Sequence, residues 1–273
     1  MMSDREFSVL LPIYNRVSLK STIVRCLHAI MDSSVLPNEI IIVIDGPLDW
    51  NLQDQLSGMP HFHLIRFFEL EKNMGLTYAL NFGLSKCLYD IIARVDADDF
   101  CHPLRFEKQL ALYRCGYNLI GGLIQEIDEQ GNKLLKRIVP ENADKIRKFA
   151  LRRNPFNHMS VMFSKKLVLD VGCYPDLHLK EDYALWVTLL ASPTTKPYNV
   201  QEVIMYATAG DGLYARRTSM KIFRQELKMQ LFLREKLQKR FIICMLDFII
   251  RTCVHLFPLS IKHKIYSNRL RSK

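Results

Sequence analysis

A chain of 273 residues that is 49% hydrophobic and 24% charged can bury a sizeable core, as one large α/β domain or two small ones, which excludes a disordered polymer. Its seven cysteines (Cys26, Cys87, Cys101, Cys115, Cys173, Cys244 and Cys253) are scattered and form no CxxC pair, which argues against a disulfide framework or structural zinc site and for a reducing compartment. The net charge of +10 is uneven: residues 216–273 hold 15 basic and 3 acidic side chains, which leaves residues 1–215 at −2. A slightly acidic body does not suit nucleic acid, whose binders surround their ligand with cations.

In chain order, the charged start MMSDREF flows directly into a strand, so no secretory signal and a cytoplasmic protein are expected. FSVLLP, EIIIVID, HLIRFF and IIARVD are apolar at nearly every position, as in strands of a parallel sheet covered by helices on both faces. Helical patterns separate them near 18–32 and 73–88. After Pro103 the pattern predicts a helix over 104–113, a hairpin from NLIGGLIQEID through the turn DEQGN, and a charged helix near 143–152. A strand in HMSVMFS, a helix opening at Glu181, the strand NVQEVIMYA and a basic helix over about 219–240 follow. The expected fold is α/β with a mostly parallel central sheet over 1–215, divided into a nucleotide-binding half, 1–100, and an acceptor-binding half, 101–215. A helical extension, 216–273, completes it.

In that extension Phe241 to Phe257 is mostly apolar, yet Asp247, Arg251 and His255 recur every four residues and share one helix face. The stretch is short for a membrane span, which needs about 20 apolar residues. Two placements stay open: in the interface of an anionic membrane, with the basic tail beside it, or packed on the protein's own body.

Ligands of open α/β sheets bind beyond the carboxyl ends of the strands. Four such ends are polar: Pro12-Ile13-Tyr14-Asn15, Asp45-Gly46, Asn73-Met74-Gly75 and Asp96 to Asp99. Tyr14 suits a base, and Asp45 a base or ribose. The Asn73 helix start offers N–H groups to an anion, although Asn73 also reads as a plain cap. Asp96-Ala97-Asp98 sets two carboxylates two residues apart, and crowded like charges call for a cation between them. Mg²⁺ or Mn²⁺ shared with a diphosphate answers that need. A phosphatase or phosphotransferase also uses D-x-D after a strand, but DADDFCHP comes late in the chain and lacks the following threonine.

Lys180-Glu181-Asp182-Tyr183 opens a helix, where acids suit the dipole and where a carboxylate can also take a proton from an attacking hydroxyl. Trp186, one turn on, is either core or a platform for a sugar ring. His158, before an apolar strand, reads as a satisfied structural histidine.

The segments SVLLPIYNR, IIVIDGP, NMGLTYALNFGLSKCLYDIIARVDADD, NHMSVMFSK and LHLKEDYALWVTLL, in that order from Ser8 to about Leu190, resemble an inverting family 2 glycosyltransferase with the GT-A fold. The resemblance implies sugar transfer from a UDP-sugar donor. It places Pro12, Tyr14, Asn15, Asp45, Asn73, Gly75, Arg94, Asp96 and Ala97 around the nucleotide, and Asp98 with Asp96 on a Mn²⁺ or Mg²⁺ cofactor. Asp182 is then the base with Glu181 beside it, and His158 and Trp186 lie on the acceptor side. Arg216 and Arg217, in the loop GDGLYARR, are candidates for the departing diphosphate.

The sequence departs from many relatives in having no histidine between His178 and His255, so a third metal ligand is unassigned. On the resemblance and the basic C-terminus, the expected partner is a lipid-linked acceptor, an undecaprenyl-diphosphate sugar. It receives glucose or galactose during O-antigen or capsule synthesis, with the enzyme peripheral on the inner face of the membrane. An inactive, donor-binding homologue in a membrane assembly is the alternative, against which the intact Asp98 and Asp182 speak.

Overall fold

β1 (Phe7–Ile13), β2 (Glu39–Ile44) and β4 (Ile91–Arg94) are buried at every position, which explains why their sequences lack the alternation of a half-exposed strand. The computed structural model describes residues 6–16, 19–128, 130–208, 220–256 and 271–272. β1 pairs in parallel with β2 on one side and β4 on the other, and β3 (Ile65–Glu69) extends the parallel set beyond β2.

Alternate side chains of β1 serve opposite faces, as the strand period requires. Val9 and Leu11 pack with α1 (Leu19–Met31) and the short α2 (Leu52–Leu56). Leu10 packs with Leu80 and Leu84 of α3 (Leu76–Lys86). The direction of winding reverses between β1 and β4, and that reversal opens a crevice at the carboxyl ends of these two strands.

The second half joins by antiparallel pairing. β8 (Met162–Ser164) lies between β4 and β6 (Leu119–Ile127), and β6 forms a hairpin with β7 (Lys133–Arg137). β9 (Pro197–Thr208) runs parallel to β6 along its length. Two residues of β9 also receive β5 (Phe100–Cys101), which starts directly after the acidic turn. β10 (Arg271–Ser272) pairs with β7 at the sheet edge. β5 and α2 carry no pattern of their own in the sequence, because they are too short to show a period and are formed by contacts with distant strands.

α4 (Arg105–Arg114), α5 (Ala143–Ala150) and α6 (Lys165–Asp170) surround this half. α7 (Glu181–Ala191) is nearly all buried. α8 (Met220–Leu237) sets Met229 and Leu233 against Leu177, Tyr183, Ala184 and Val187. α9 (Phe241–Leu256) lies against α8. Among the described residues no helix is long and apolar enough to cross a membrane.

Candidate active site

A cavity of about 300 Å³ opens at the crevice and is lined by Pro12, Tyr14, Asp45, Asn73, Gly75, Asp96, Ala97 and Asp98, with Arg16 and Leu76 among the remaining wall residues. Eight positions singled out in the sequence therefore share one wall, although they come from four separate strand or helix ends. Asn15 is exposed and outside this lining.

Asp45 organises the floor. Its Oδ1 accepts from the Met74 N–H at 2.6 Å and its Oδ2 from the Gly75 N–H at 2.9 Å, while Asn73 Nδ2 donates to the Asp45 carbonyl at 3.3 Å. Hydrogen bonds to a charged group are worth about 1.5–3 kcal/mol each, enough to hold the loop without a ligand. This corrects two expectations. The cap of α3 is Gly75, not Asn73, and two of the N–H groups expected to meet an anion are already taken by Asp45. The fit is tight: at Gly46, φ +86°, an added Cβ would sit 2.7 Å from the Asn73 nitrogen, so only glycine suits this turn.

The acidic turn divides its carboxylates. Asp96 and Asp98 line the cavity, whereas Asp99 is buried and accepts from the Thr208 N–H at 3.2 Å. Burial, aided by the charges of Asp96 and Asp98, pushes the Asp99 carboxyl well up. Asp99 thus ties the turn to β9, and Thr208 Oγ1 adds a bond to the Asp98 carbonyl at 2.8 Å.

Both cavity acids have cations. Asp96 Oδ2 lies 2.5 Å from Arg94 Nη1, and Asp98 Oδ2 is 3.0 Å from Arg16 Nη1. The Arg94 side chain is only 2% exposed, which corrects its placement around the nucleotide: it sits beneath Asp96 and reaches the cavity only through it. Arg16 was not recognised in the sequence, because an arginine in a strand-end loop looks like any surface cation.

The acid pair opens α7. Asp182 Oδ2 accepts from Asn154 Nδ2 at 2.7 Å and Oδ1 from the Tyr183 N–H at 2.7 Å. Burial raises the Asp182 carboxyl, while these bonds and the charges of Lys180 and Arg94 oppose the rise. Glu181 is pushed up to about 7 by burial and then by the Asp182 charge. Burial thus raises both neighbouring carboxyls, and the Asp182 charge adds to the rise at Glu181. Arg94 electrostatically faces this pair as well as Asp96, so one buried cation serves both sides of the crevice.

Trp186 is fully buried among Phe156, His158, Phe163 and Tyr174, with ring centroids 5.7–6.2 Å away. It cannot be a sugar platform, because no face of the indole reaches solvent; the core reading holds. His158 Nε2 is 3.1 Å from the Tyr174 hydroxyl, and burial followed by the Arg94 charge holds the imidazole well below its usual pKa. These contacts give His158 a structural role beside Trp186, and the residue is half-buried.

The profile of glycosyl transferase family 2 matches residues 8–170, from β1 to α6. The chain is a family 2 glycosyltransferase. It is 34% identical to the amylovoran biosynthesis glycosyltransferase AmsE of Erwinia amylovora, over 95% of this chain and 97% of that protein. It is 33% identical to the UDP-Gal:alpha-D-GlcNAc-diphosphoundecaprenol beta-1,3-galactosyltransferase of Escherichia coli, over 99% of each.

Among solved structures, S. aureus TarS in complex with UDP-GlcNAc superposes with a TM-score of 0.63 at 15% identity, covering 85% of this chain and 67% of that one. The mannosyltransferase PcManGT of Pyrobaculum calidifontis, in complex with GDP-Man and Mn²⁺, gives 0.60 at 16% identity, covering 86% and 65%. These distant likenesses agree with the GT-A architecture expected from the sequence.

For this glycosyltransferase the donor set of the acidic turn fits a hard divalent cation that also takes diphosphate oxygens, since Mg²⁺ is commonly held by one or two carboxylates plus phosphate. No cluster of three or more metal-ligating side chains occurs among the described residues; Asp96 and Asp98 are the carboxylates of the acidic turn that line the cavity. Arg216 and Arg217 lie outside the described residues.

Proposed function

We propose that this glycosyltransferase moves a hexose from a UDP-sugar to a hydroxyl of a lipid-linked saccharide, with inversion, in the synthesis of a bacterial surface polysaccharide. The observation that carries the reading is the pairing of a carboxylate-lined cavity at the strand ends with the Asn154-held carboxylate of Asp182 across the buried Arg94. Galactose is favoured over glucose by the galactosyltransferase of similar sequence over nearly the whole chain. The same relative's diphosphoundecaprenol acceptor supports a lipid-linked acceptor here and work at the inner, anionic face of the membrane.

In this mechanism Tyr14, Asp45 and the 73–75 loop hold the nucleoside, and Asp96 takes a donor hydroxyl or the cation. Mn²⁺ or Mg²⁺ bound by Asp98 and Asp96 would offset the charge that the diphosphate gains. Asp182, held by Asn154 and the Tyr183 N–H, accepts the acceptor's hydroxyl proton as that oxygen attacks the anomeric carbon. The bond from the anomeric carbon to the diphosphate oxygen breaks on the opposite face, and UDP leaves with the electron pair. Glu181, pushed up to about 7 by burial and the Asp182 charge, remains largely protonated below that pH and is suited to hydrogen-bond the acceptor.

The test is UDP release from a panel of UDP-sugars with Mn²⁺ or Mg²⁺, with and without a synthetic diphosphate-lipid sugar. One donor should support metal-dependent release that rises with acceptor and disappears in Asp98→Ala and Asp182→Asn. No release from any donor, together with no nucleotide binding by calorimetry, would sink the proposal.

A further inference from the structure

α9 is built inside out. Its charged face, Asp247 and Arg251, turns inward: Asp247 Oδ2 is 2.7 Å from the buried Lys239 Nζ, and Arg251 Nε is 3.3 Å from Glu226 Oε1. Cys244, fully buried, lies on the same side. Its outward face carries Phe241, Ile242, Leu246, Ile249 and Ile250, each between 49% and 68% exposed. A helix packed on a soluble body for its own sake does the reverse, burying its apolar stripe and exposing its charges. Contiguous exposed apolar surface of this kind marks an interaction site.

The rim of that face identifies the partner. Arg240 and Arg234 are exposed at its start, and the Arg234 guanidinium lies 5.1 Å from the Phe241 ring. The last 58 residues, 216–273, carry net charge +12 while the remainder carries −2. Apolar side chains flanked at one end by Arg234 and Arg240 complement an anionic lipid surface, where acyl chains take the former and headgroups the latter. A helix of 16 residues spans only about 24 Å, less than a hydrocarbon core of about 30 Å, so its length suits the surface of a bilayer and not a crossing.

The inward face connects to the chemistry. Glu226 of α8, 2% exposed, receives Lys180 Nζ at 3.1 Å and Gln230 Nε2 at 2.8 Å in addition to Arg251. Lys180 is the residue at the cap of α7, immediately before Glu181 and Asp182. One buried carboxylate therefore joins the outward-greased helix to the start of the helix that carries the acid pair.

We propose that the outward face of α9 docks on an anionic lipid bilayer, and that Glu226 fastens the docked helix to the start of α7. Docking then holds Glu181 and Asp182 at a set height above the surface from which a lipid-linked acceptor presents its sugar. The second part rests on the acceptor class proposed above; the docking itself does not. Glu226 is a positioning residue, acting on the acid pair through Lys180.

Sedimentation of the full chain with vesicles tests the docking without any nucleotide, so its outcome is independent of donor chemistry. The chain should sediment with phosphatidylglycerol-containing vesicles and much less with pure phosphatidylcholine. The triple variant Ile242→Ser, Ile249→Ser, Ile250→Ser should lose binding about tenfold or more, with turnover on a detergent-soluble short-chain acceptor unchanged. Failure of the unmodified chain to sediment, or undiminished binding by the triple variant, overturns the docking. So does a dimer in analytical ultracentrifugation that the triple variant dissociates, because the face then belongs to a second copy.

Glu226→Gln should retain vesicle binding and lose about tenfold in kcat with donor KM unchanged, and Glu226→Asp should restore part of it. A lowered melting temperature with kcat per folded molecule unchanged would reduce Glu226 to a structural role and overturn the fastening.

Discussion

The carboxylates that line the cavity and the acid pair that opens α7 differ in how strongly burial acts on them. Asp45, Asp96 and Asp98 come from strand ends and are met at the cavity wall by backbone N–H groups or by Arg94 and Arg16. Glu181 and Asp182 start a buried helix, and burial raises both. Partnered acids are prepared to exchange one positive neighbour for another when a nucleotide and cation arrive. Acids raised by burial are prepared to exchange protons. In the proposed mechanism one arrangement serves as a binding surface and the other as a base, although the residue types are the same.

The largest effect should come from the acceptor side. Asp182→Asn removes the proton acceptor and keeps one of its two hydrogen bonds, because the amide NH2 cannot accept from Asn154 Nδ2 or the Tyr183 N–H, and kcat should fall by about 10²–10⁴ with UDP affinity by calorimetry unchanged. If UDP affinity fell equally, the two sides would not be separable in the way described.

On the donor side, Asp45→Ala leaves the Met74 and Gly75 N–H groups without their acceptor. Stability should drop by about 1–3 kcal/mol in urea unfolding, and UDP affinity should fall with it. A loss of stability alone would mark Asp45 as a loop fastener that does not touch the nucleoside.

The proton-exchange side should also show in pH dependence. Glu181 has its folded pKa raised from 4.5 to about 7, so the folded state holds this proton more tightly than the unfolded chain. Its burial therefore costs nothing below pH of about 4.5, and stability is lost progressively as pH rises through about 7. Thermal melts of Glu181→Gln should lack that decline between these two values. Asp182→Asn should lower the Glu181 midpoint, read by carboxyl NMR, because a neighbouring negative charge is gone.

The smallest effect concerns Arg16. It pairs with Asp98 at 3.0 Å, with both side chains about a third exposed or less, so the pair is screened and worth at most about 1 kcal/mol. Arg16→Ala should tighten donor-free Mn²⁺ binding a fewfold, roughly within the factor of five that 1 kcal/mol allows, measured by electron paramagnetic resonance. Weaker binding would assign Arg16 to holding the acidic turn itself in place.

Much of this was readable along the chain because it is local. Unbroken apolar runs identified the buried parallel strands, and polar residues at their ends identified eight cavity positions. The signal failed where a residue's role is set by a partner far away. Asp99 follows Asp98 directly yet is drawn to Thr208, 109 positions on. Asn154 and Arg16 look like ordinary loop residues until Asp182 and Asp98 are placed beside them.

By itself, then, the sequence determined the strand–helix alternation, the acidic turn at a strand end, the acid pair at a helix start and the basic C-terminal charge, since each depends on residues within a turn or strand of one another. Tertiary structure alone decided that Trp186 is core, that Arg94 lies beneath both groups of acids, and which way α9 faces. An amphipathic pattern specifies that a helix has two faces, but only the position of Glu226 and Lys239 determined that the charged one turns inward.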